Sequence, residues 1–395
     1  MKDQSMTDVV VAGHVCLDLI PTFPACAGTL AETLVPGKLV DVGPAVLGTG
    51  GAVSNVGLAL HRLGATPRLM GKVGRDAFGR IVLDLLGRRD AALADSMIVA
   101  DDVATSYSVV ISPPGADRIF LHCPGANDAF GADDVRPREI AGARLFHFGY
   151  PPLMRRMYAD GGEELAVMLR RVQALGVVTS LDLARPDPAS PAGQADWRAI
   201  LTRALPYTDI FEPSLEELLY MLDRPAYDRL LNGQPPDRAQ LRRLTGELLA
   251  MGAAVVTLKL GDQGLLLRTT SDAARLGSLT RTLRLDAARW RDRELLAPCF
   301  EARFVGTTGS GDATIAGLLA ALLRGDTPEA ALTAAVAVGA CSIEQADATS
   351  GIPSWDQVCA RIAGGWARRP IAMAIEGFDY EPTQGLYRGA DERGW

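Results

Sequence analysis

The segment FVGTTGSGDATIAGLLAALLRG (304–325) sets Gly306, Gly309, Ser310 and Gly311 ahead of one acidic residue, Asp312, and a run of small and apolar side chains. Ile315, Leu318, Leu319, Leu322 and Leu323 recur at helical spacing and so share one helix face. Gly325 ends that helix as a C-terminal cap would. Residues 309–311 then fall at its N-terminus, where unpaired N–H groups and the helix dipole attract an anion. Glycine lets such a backbone approach a phosphate without a Cβ in the way. Asp312 has two readings. It is an ordinary first-turn carboxylate, favoured there by the dipole. Alternatively it accepts the proton of a hydroxyl attacking a phosphorus atom held by those N–H groups. The dipole would keep it ionised and therefore a weak base, which suffices because phosphoryl transfer depends mainly on positioning and charge stabilisation. The stretch alone leaves both readings open.

Placing such a group requires a scaffold, and the chain alternates short β-branched runs with amphipathic segments. DVVVAG (8–13), TPRLMGKVG (66–74), ARLFHFGY (143–150), VVTSLDL (177–183), TDIFEPS (208–214) and AAVVTLKLG (253–261) read as strands. NVGLALHRLG (55–64), FGRIVLDLLGRRD (78–90) and EELAVMLRRVQALG (163–176) read as helices. This rhythm predicts an α/β fold with a mainly parallel central sheet flanked by helices. TSYSVVISPPGADRIFLHCPGAND (105–128) breaks it, as two strand-like runs around Pro-Pro-Gly, and predicts an antiparallel hairpin. VPGKLVDVGPAVLGTGG (35–51) supplies further strands to the same small β-sheet, a candidate lid. The expected organisation is a single domain over 1–365, with lid strands from about 14–50 and 105–125 and a C-terminal extension over 366–395.

Composition narrows the function classes. The chain has 395 residues, 48% hydrophobic and 22% charged, within the ordinary globular range. A net charge of −7 with no basic tract argues against nucleic acid as a partner. Cys16, Cys26, Cys123, Cys299, Cys341 and Cys359 form no C-x-x-C pair, so neither a zinc site nor a disulfide framework is expected, and a reducing cytoplasm is the simplest setting. The acidic start MKDQSMTDVVVAG does not read as a signal peptide, and no apolar run reaches membrane-spanning length.

Two stretches taken in order carry a resemblance. GTGGAVSNVGLALHRLGA (48–65) and TTGSGD (307–312) resemble the first and second signatures of the ribokinase-like (PfkB) carbohydrate kinases, over roughly residues 8–360. The resemblance implies ATP and Mg²⁺ as cofactors, a small-molecule sugar as substrate, and a homodimer formed through the lid. It implies Asp312 as catalytic base, with Gly309, Ser310 and Gly311 as the anion hole around the transferring phosphate. Asp18 in GHVCLDLIP, with Gly50, Gly51 and Asn55, matches the substrate-binding set. KLGDQG (259–264) resembles the nucleotide turn, bringing in Lys259, Gly261 and Gly264, with Thr308 beside the phosphates. PSLEEL (213–218) resembles the metal-associated element, so Glu217 matches its carboxylate. The helix TPEAALTAAVAVGACSIE (327–344) matches the one against which the adenine lies. Three positions depart from the pattern. Gly306 stands where the second signature begins with Asp, removing a carboxylate tied to a potassium site. Ser214 replaces an Asn of the metal element, and Lys259 replaces a Thr-like residue and adds a cation for phosphate contact.

Each of these residues also has a plain reading. Asp18 suits a solvated loop, Gly50 and Gly51 a tight turn, Asn55 the first turn of a helix, and Glu217 an exposed helix face. His14, His61, His122 and His147 show no metal-ligand spacing, although His14 lies near Asp18. AVLGTGGAV fails the dinucleotide fingerprint at Val53, and no P-loop or protein-kinase elements occur. A nucleoside kinase and a sugar-binding protein without catalysis stay open as alternatives. A phosphosugar substrate would call for clustered Arg or Lys, and Arg118 is the one obvious candidate.

Overall fold

The structure is a computed structural model and describes residues 7–23, 35–112 and 119–390. Its strands are β1 (Val9–Gly13), β2 (Cys16–Thr22), β3 (Gly43–Gly50), β4 (Pro67–Met70), β5 (Lys72–Gly74), β6 (Ile98–Ala100), β7 (Tyr107–Ile111) and β8 (Ile119–Cys123). They continue as β9 (Leu145–Gly149), β10 (Val178–Leu181), β11 (Ile210–Phe211), β12 (Val255–Lys259), β13 (Leu265–Thr269), β14 (Glu294–Ala297), β15 (Phe378–Glu381) and β16 (Leu386–Gly389). The large sheet runs β15-β16-β14-β13-β12-β11-β10-β9-β1-β4. Its half from β4 to β12 is parallel, and from β12 to β15 every pair is antiparallel.

Helices cover both faces of the parallel half, which explains why its strands are almost wholly apolar. Val9, Val11, Leu145, Val178 and Ile210 face a core shared with Leu58, Leu318 and Val336, from helices Ala52–Arg62, Ser310–Arg324 and Pro328–Ser342. Val10, Phe146, Phe148, Leu181 and Phe211 face the opposite core, against helices that include Glu163–Ala174 and Arg238–Ala250. In open sheets of this kind the ligand crevice lies beyond the carboxyl ends of the parallel strands. Every candidate site element emerges at that end.

The small sheet runs β3-β2-β7-β8, with β7 and β8 antiparallel. The Pro-Pro-Gly turn between them and Arg118 lie outside the described residues. Two expectations need correction. TPRLMGKVG is two strands, because the chain leaves the large sheet at Gly71 and β5 pairs instead with β6. A Cβ on Gly71 would lie 2.6 Å from the Val15 side chain, so the crossing demands the smallest residue. Asp18 does not sit in a loop; it lies within β2, paired with Gly48 of β3. Beyond residue 366 the chain forms β15 and β16, which continue the large sheet past β14.

Candidate active site

Asp312 is 3% exposed and is held by two elements distant in sequence. Asn55 Nδ2 donates to Oδ2 at 2.9 Å, and the Tyr150 hydroxyl lies 2.8 Å from both carboxylate oxygens. Asn55 reaches it because helix Ala52–Arg62 starts at Gly51, whose φ of 88° suits glycine. Tyr150 reaches it by adopting φ 68°, a left-handed conformation rare for an aromatic residue, just after β9 and before Pro151 and Pro152. Helix Ser310–Arg324 begins at Gly309, with φ 71° and no side-chain cap. Its first N–H groups are thus left without a side-chain partner where the sequence predicts an anion hole. Thr308 Oγ1 is also buried there without a hydrogen-bond partner among the described residues. An unsatisfied hydroxyl beside an uncapped helix start suits an anionic oxygen.

The electrostatics of Asp312 differ from the sequence expectation. The dipole favours its charge, yet burial dominates and pushes its carboxyl above the usual range. Hydrogen bonds from Asn55 and Tyr150, then the charges of Lys259 and His147, pull the other way. Asp312 is therefore a stronger base than a surface aspartate. Burial together with the negative charges of Asp312 and Asp182 keeps the Tyr150 phenol well above its ordinary value, so it stays a donor.

Lys259 ends β12, and its Nζ lies 2.7 Å from Asp182 at the end of β10. A Cβ on Gly311 would meet the Lys259 side chain at 3.7 Å, so the ammonium lies against the glycine turn. Burial opposes its charge, but Asp182 and then Glu217 outweigh it and raise Lys259 above the ordinary lysine value. Gly261 has φ 62° and open space around it. Gly264 is different: a Cβ there would meet the Ala297 carbonyl at 2.0 Å, so packing against β14 already requires glycine. Glu217 and Ser214 cap helix Leu215–Leu222 reciprocally, with Glu217 Oε2 accepting from the Ser214 N–H at 2.7 Å. One Glu217 oxygen is thereby committed to the helix start. S-x-x-E is a capping box, and that signal was readable in the sequence.

Asp18 belongs to a second polar group, built by the small sheet. Cys16 Sγ lies 3.4 Å from Asp18 Oδ1, Ser108 Oγ lies 2.9 Å from His122 Nδ1, and His122 Nε2 lies 3.4 Å from His14 Nε2. Burial raises Asp18 to about 6, with the Cys16 thiol pulling the other way. Burial and the neighbouring His122 lower His14 to about 3, so its ring is neutral. A Cβ on Gly50 would lie 2.4 Å from Asp18 Oδ2, and one on Gly51 2.5 Å from His14 Nδ1. The glycine pair thus makes room for this polar group. His14 also lies beside Tyr150, their ring centroids 6.0 Å apart. Tyr150, Asp182, Ser108 and His122 escaped the sequence reading. An acid ending an otherwise apolar strand, as in VVTSLD, was a signal for Asp182; nothing local marked Tyr150 or Ser108.

The model of the pfkB family carbohydrate kinases matches residues 6–355. The chain belongs to that family. Its members are phosphotransferases that act on an alcohol group, and this chain is a sugar or nucleoside kinase. It is 25% identical over 299 residues to an uncharacterised sugar kinase of Archaeoglobus fulgidus, covering 75% of this chain and 98% of that one. The fold is that of ribokinase from Arabidopsis thaliana, solved with ribose and ATP, at a TM-score of 0.66, 19% identity, and coverage of 90% and 98%. It is equally that of a Methanocaldococcus jannaschii nucleoside kinase, at a TM-score of 0.62, 18% identity, and coverage of 91% and 99%. Among the described residues no helix is long and apolar enough to cross a membrane.

Proposed function

We propose that this family member phosphorylates a hydroxyl of a small neutral sugar with ATP, and that Asp312 is the base. The observation that carries the reading is Asp312 itself, buried and gripped by Asn55 and Tyr150 at the mouth of an uncapped helix. An acceptor hydroxyl beside Asp312 gives up its proton as its oxygen attacks the terminal phosphorus, whose oxygens are received by the N–H groups of Gly309, Ser310 and Gly311. Lys259 packs against that turn and would neutralise charge on the phosphates. Gly261 and the helix Pro328–Ser342 would line the nucleotide, and Gly264 would shape the same turn by packing. Thr308 would add its unpartnered hydroxyl.

Mg²⁺ would screen the phosphates and orient them for in-line displacement. Glu217 keeps one carboxylate oxygen beyond its helix cap, and this suits a role through metal-bound water. Asp18, Gly50, Gly51 and Asn55 would receive the sugar. Carboxylate, hydroxyl and neutral imidazole together match a polyol better than an anionic substrate.

The test is an ADP-release screen across pentoses, hexoses, sugar acids and nucleosides. The reading expects turnover of a neutral sugar; turnover confined to nucleosides would replace it with the nucleoside alternative. The small sheet would also mediate a homodimer, because its outer strands expose Val46, Leu47, Phe120 and Leu121. Sedimentation showing only monomer would overturn that part.

A further inference from the structure

The family match ends at residue 355, and the chain beyond it returns to the end of the large sheet that carries Lys259. After helix Trp355–Ala363 it crosses the exit of β14. There the Glu301 N–H donates to the Ala367 carbonyl at 2.9 Å, and the Arg369 N–H to the Cys299 carbonyl at 2.8 Å. It then reaches the turn between β12 and β13. Gln263 Oε1 accepts from the N–H groups of both Ala372 and Met373, at 2.7 and 3.0 Å. Both partners are backbone donors, so the Gln263 amide can face them only through its oxygen. Its nitrogen is turned to Asp262 and donates to Oδ1 at 2.8 Å. The Met373 side chain is buried in the core on one face of the large sheet, which anchors the stretch. Cys299 Sγ in turn lies 3.5 Å from the Gly261 carbonyl. Arg369 lies 3.4 Å from Asp262, but both are well exposed and the pair contributes little.

The turn has little else to hold it. Gly261–Gln263 is one short helical turn without a side-chain cap, and Gly261 has open space where a Cβ would be. So short a turn keeps one conformation through contacts from outside it. The C-terminal stretch supplies them, directly at Gln263 and by way of Cys299 at Gly261. We propose that Gln263 is a positioning residue for the nucleotide, clamped by residues 366–373 so that the turn keeps the backbone shape that receives a nucleoside triphosphate. That the turn meets the nucleotide rests on the function proposed above; that the C-terminal stretch holds the turn does not.

Removing the whole stretch would not separate positioning from folding, because β16 pairs with β14. A point change does. Gln263→Met keeps the length of the side chain and loses both acceptor bonds. Its KM for MgATP should rise about tenfold, within the net worth of two hydrogen bonds, while acceptor KM and melting temperature hold. Gln263→Glu keeps an acceptor for both N–H groups. Made together with Asp262→Asn, so that two carboxylates do not oppose each other, it should recover most of the affinity. An unchanged MgATP KM in folded Gln263→Met, a parallel rise in acceptor KM, or no recovery with Gln263→Glu overturns the proposal. A second arm needs no turnover. Calorimetric titration with ADP should show the same weakening in Gln263→Met, and that result supports the clamp even if the chain proves to phosphorylate nothing. Equal ADP binding by the parent protein and the variant refutes the positioning role and leaves the proposed activity standing. A parent protein that binds no adenine nucleotide overturns that activity and this inference with it.

Discussion

Two kinds of helix start occur in this molecule. Away from the site, helices Ala77–Gly87, Trp197–Ala204, Arg238–Ala250 and Ala273–Leu283 begin at Asp76, Asp196, Asp237 and Asp272, each satisfying N–H groups with its own carboxylate. At the site, helices Ala52–Arg62 and Ser310–Arg324 begin at Gly51 and Gly309, with positive φ and no side-chain cap. Glycine in place of a capping side chain forgoes only about a few tenths of a kcal/mol per start, and the two starts converge on the Asp312 carboxylate. Helix Glu163–Ala174 also begins at an uncapped glycine, Gly162, but carries Glu163 and Glu164 in its first turn. On the proposed reading the site starts lack a side-chain cap so that a ligand can enter, whereas the remote starts are closed for stability; backbone carbonyls of His14 and Thr307 already accept from the Val53 and Ser310 N–H groups.

The contrast can be broken most severely at Asp312, the proposed base. Asp312→Asn should lower kcat by at least ~10²-fold, as expected for loss of a positioned acid–base group, with little change in melting temperature. Steady-state kinetics beside a thermal melt check both halves. Gly50→Ala forces a Cβ to within 2.4 Å of Asp18 Oδ2 and must displace that carboxylate. Its acceptor KM should rise about tenfold or more, with a smaller loss in kcat; an unchanged KM would separate Asp18 from the substrate.

A pH series sharpens the same point. Asp18 is raised to about 6 by burial, so it is ionised above that pH and protonated below it. The ionised form accepts hydroxyl hydrogens more strongly and on both of its oxygens, so acceptor KM should climb as pH falls through about 6. That dependence should vanish in Asp18→Asn. The smallest effect belongs to the remote starts. Asp237→Ala should cost about 1 kcal/mol in denaturant unfolding and leave kcat unaltered. A loss of activity there would erase the distinction between the two kinds of start.

The parallel half of the fold was legible because strands buried on both faces must be apolar, and helices must show a single apolar face. The glycine–Asp312 stretch was legible because an anion site needs backbone without side chains ahead of a helix. Tyr150 was not, since its role depends on a left-handed turn that brings it across the sheet to a residue far along the chain. Asp18 was legible as a polar candidate, but Ser108 and His122 of the same polar group come from other strands of the small sheet, β7 and β8. The turn joining β7 and β8 was legible as Pro-Pro-Gly and lies outside the described residues.

The central claim is that the uncapped turn at 309–311 receives a phosphoryl group within reach of Asp312. A crystal structure with a non-hydrolysable ATP analogue, Mg²⁺ and the acceptor found by screening tests it most directly. The account predicts the terminal phosphate against the N–H groups of Gly309, Ser310 and Gly311, with the acceptor hydroxyl on the Asp312 carboxylate. A phosphate bound elsewhere, or an acceptor hydroxyl out of reach of Asp312, would contradict it.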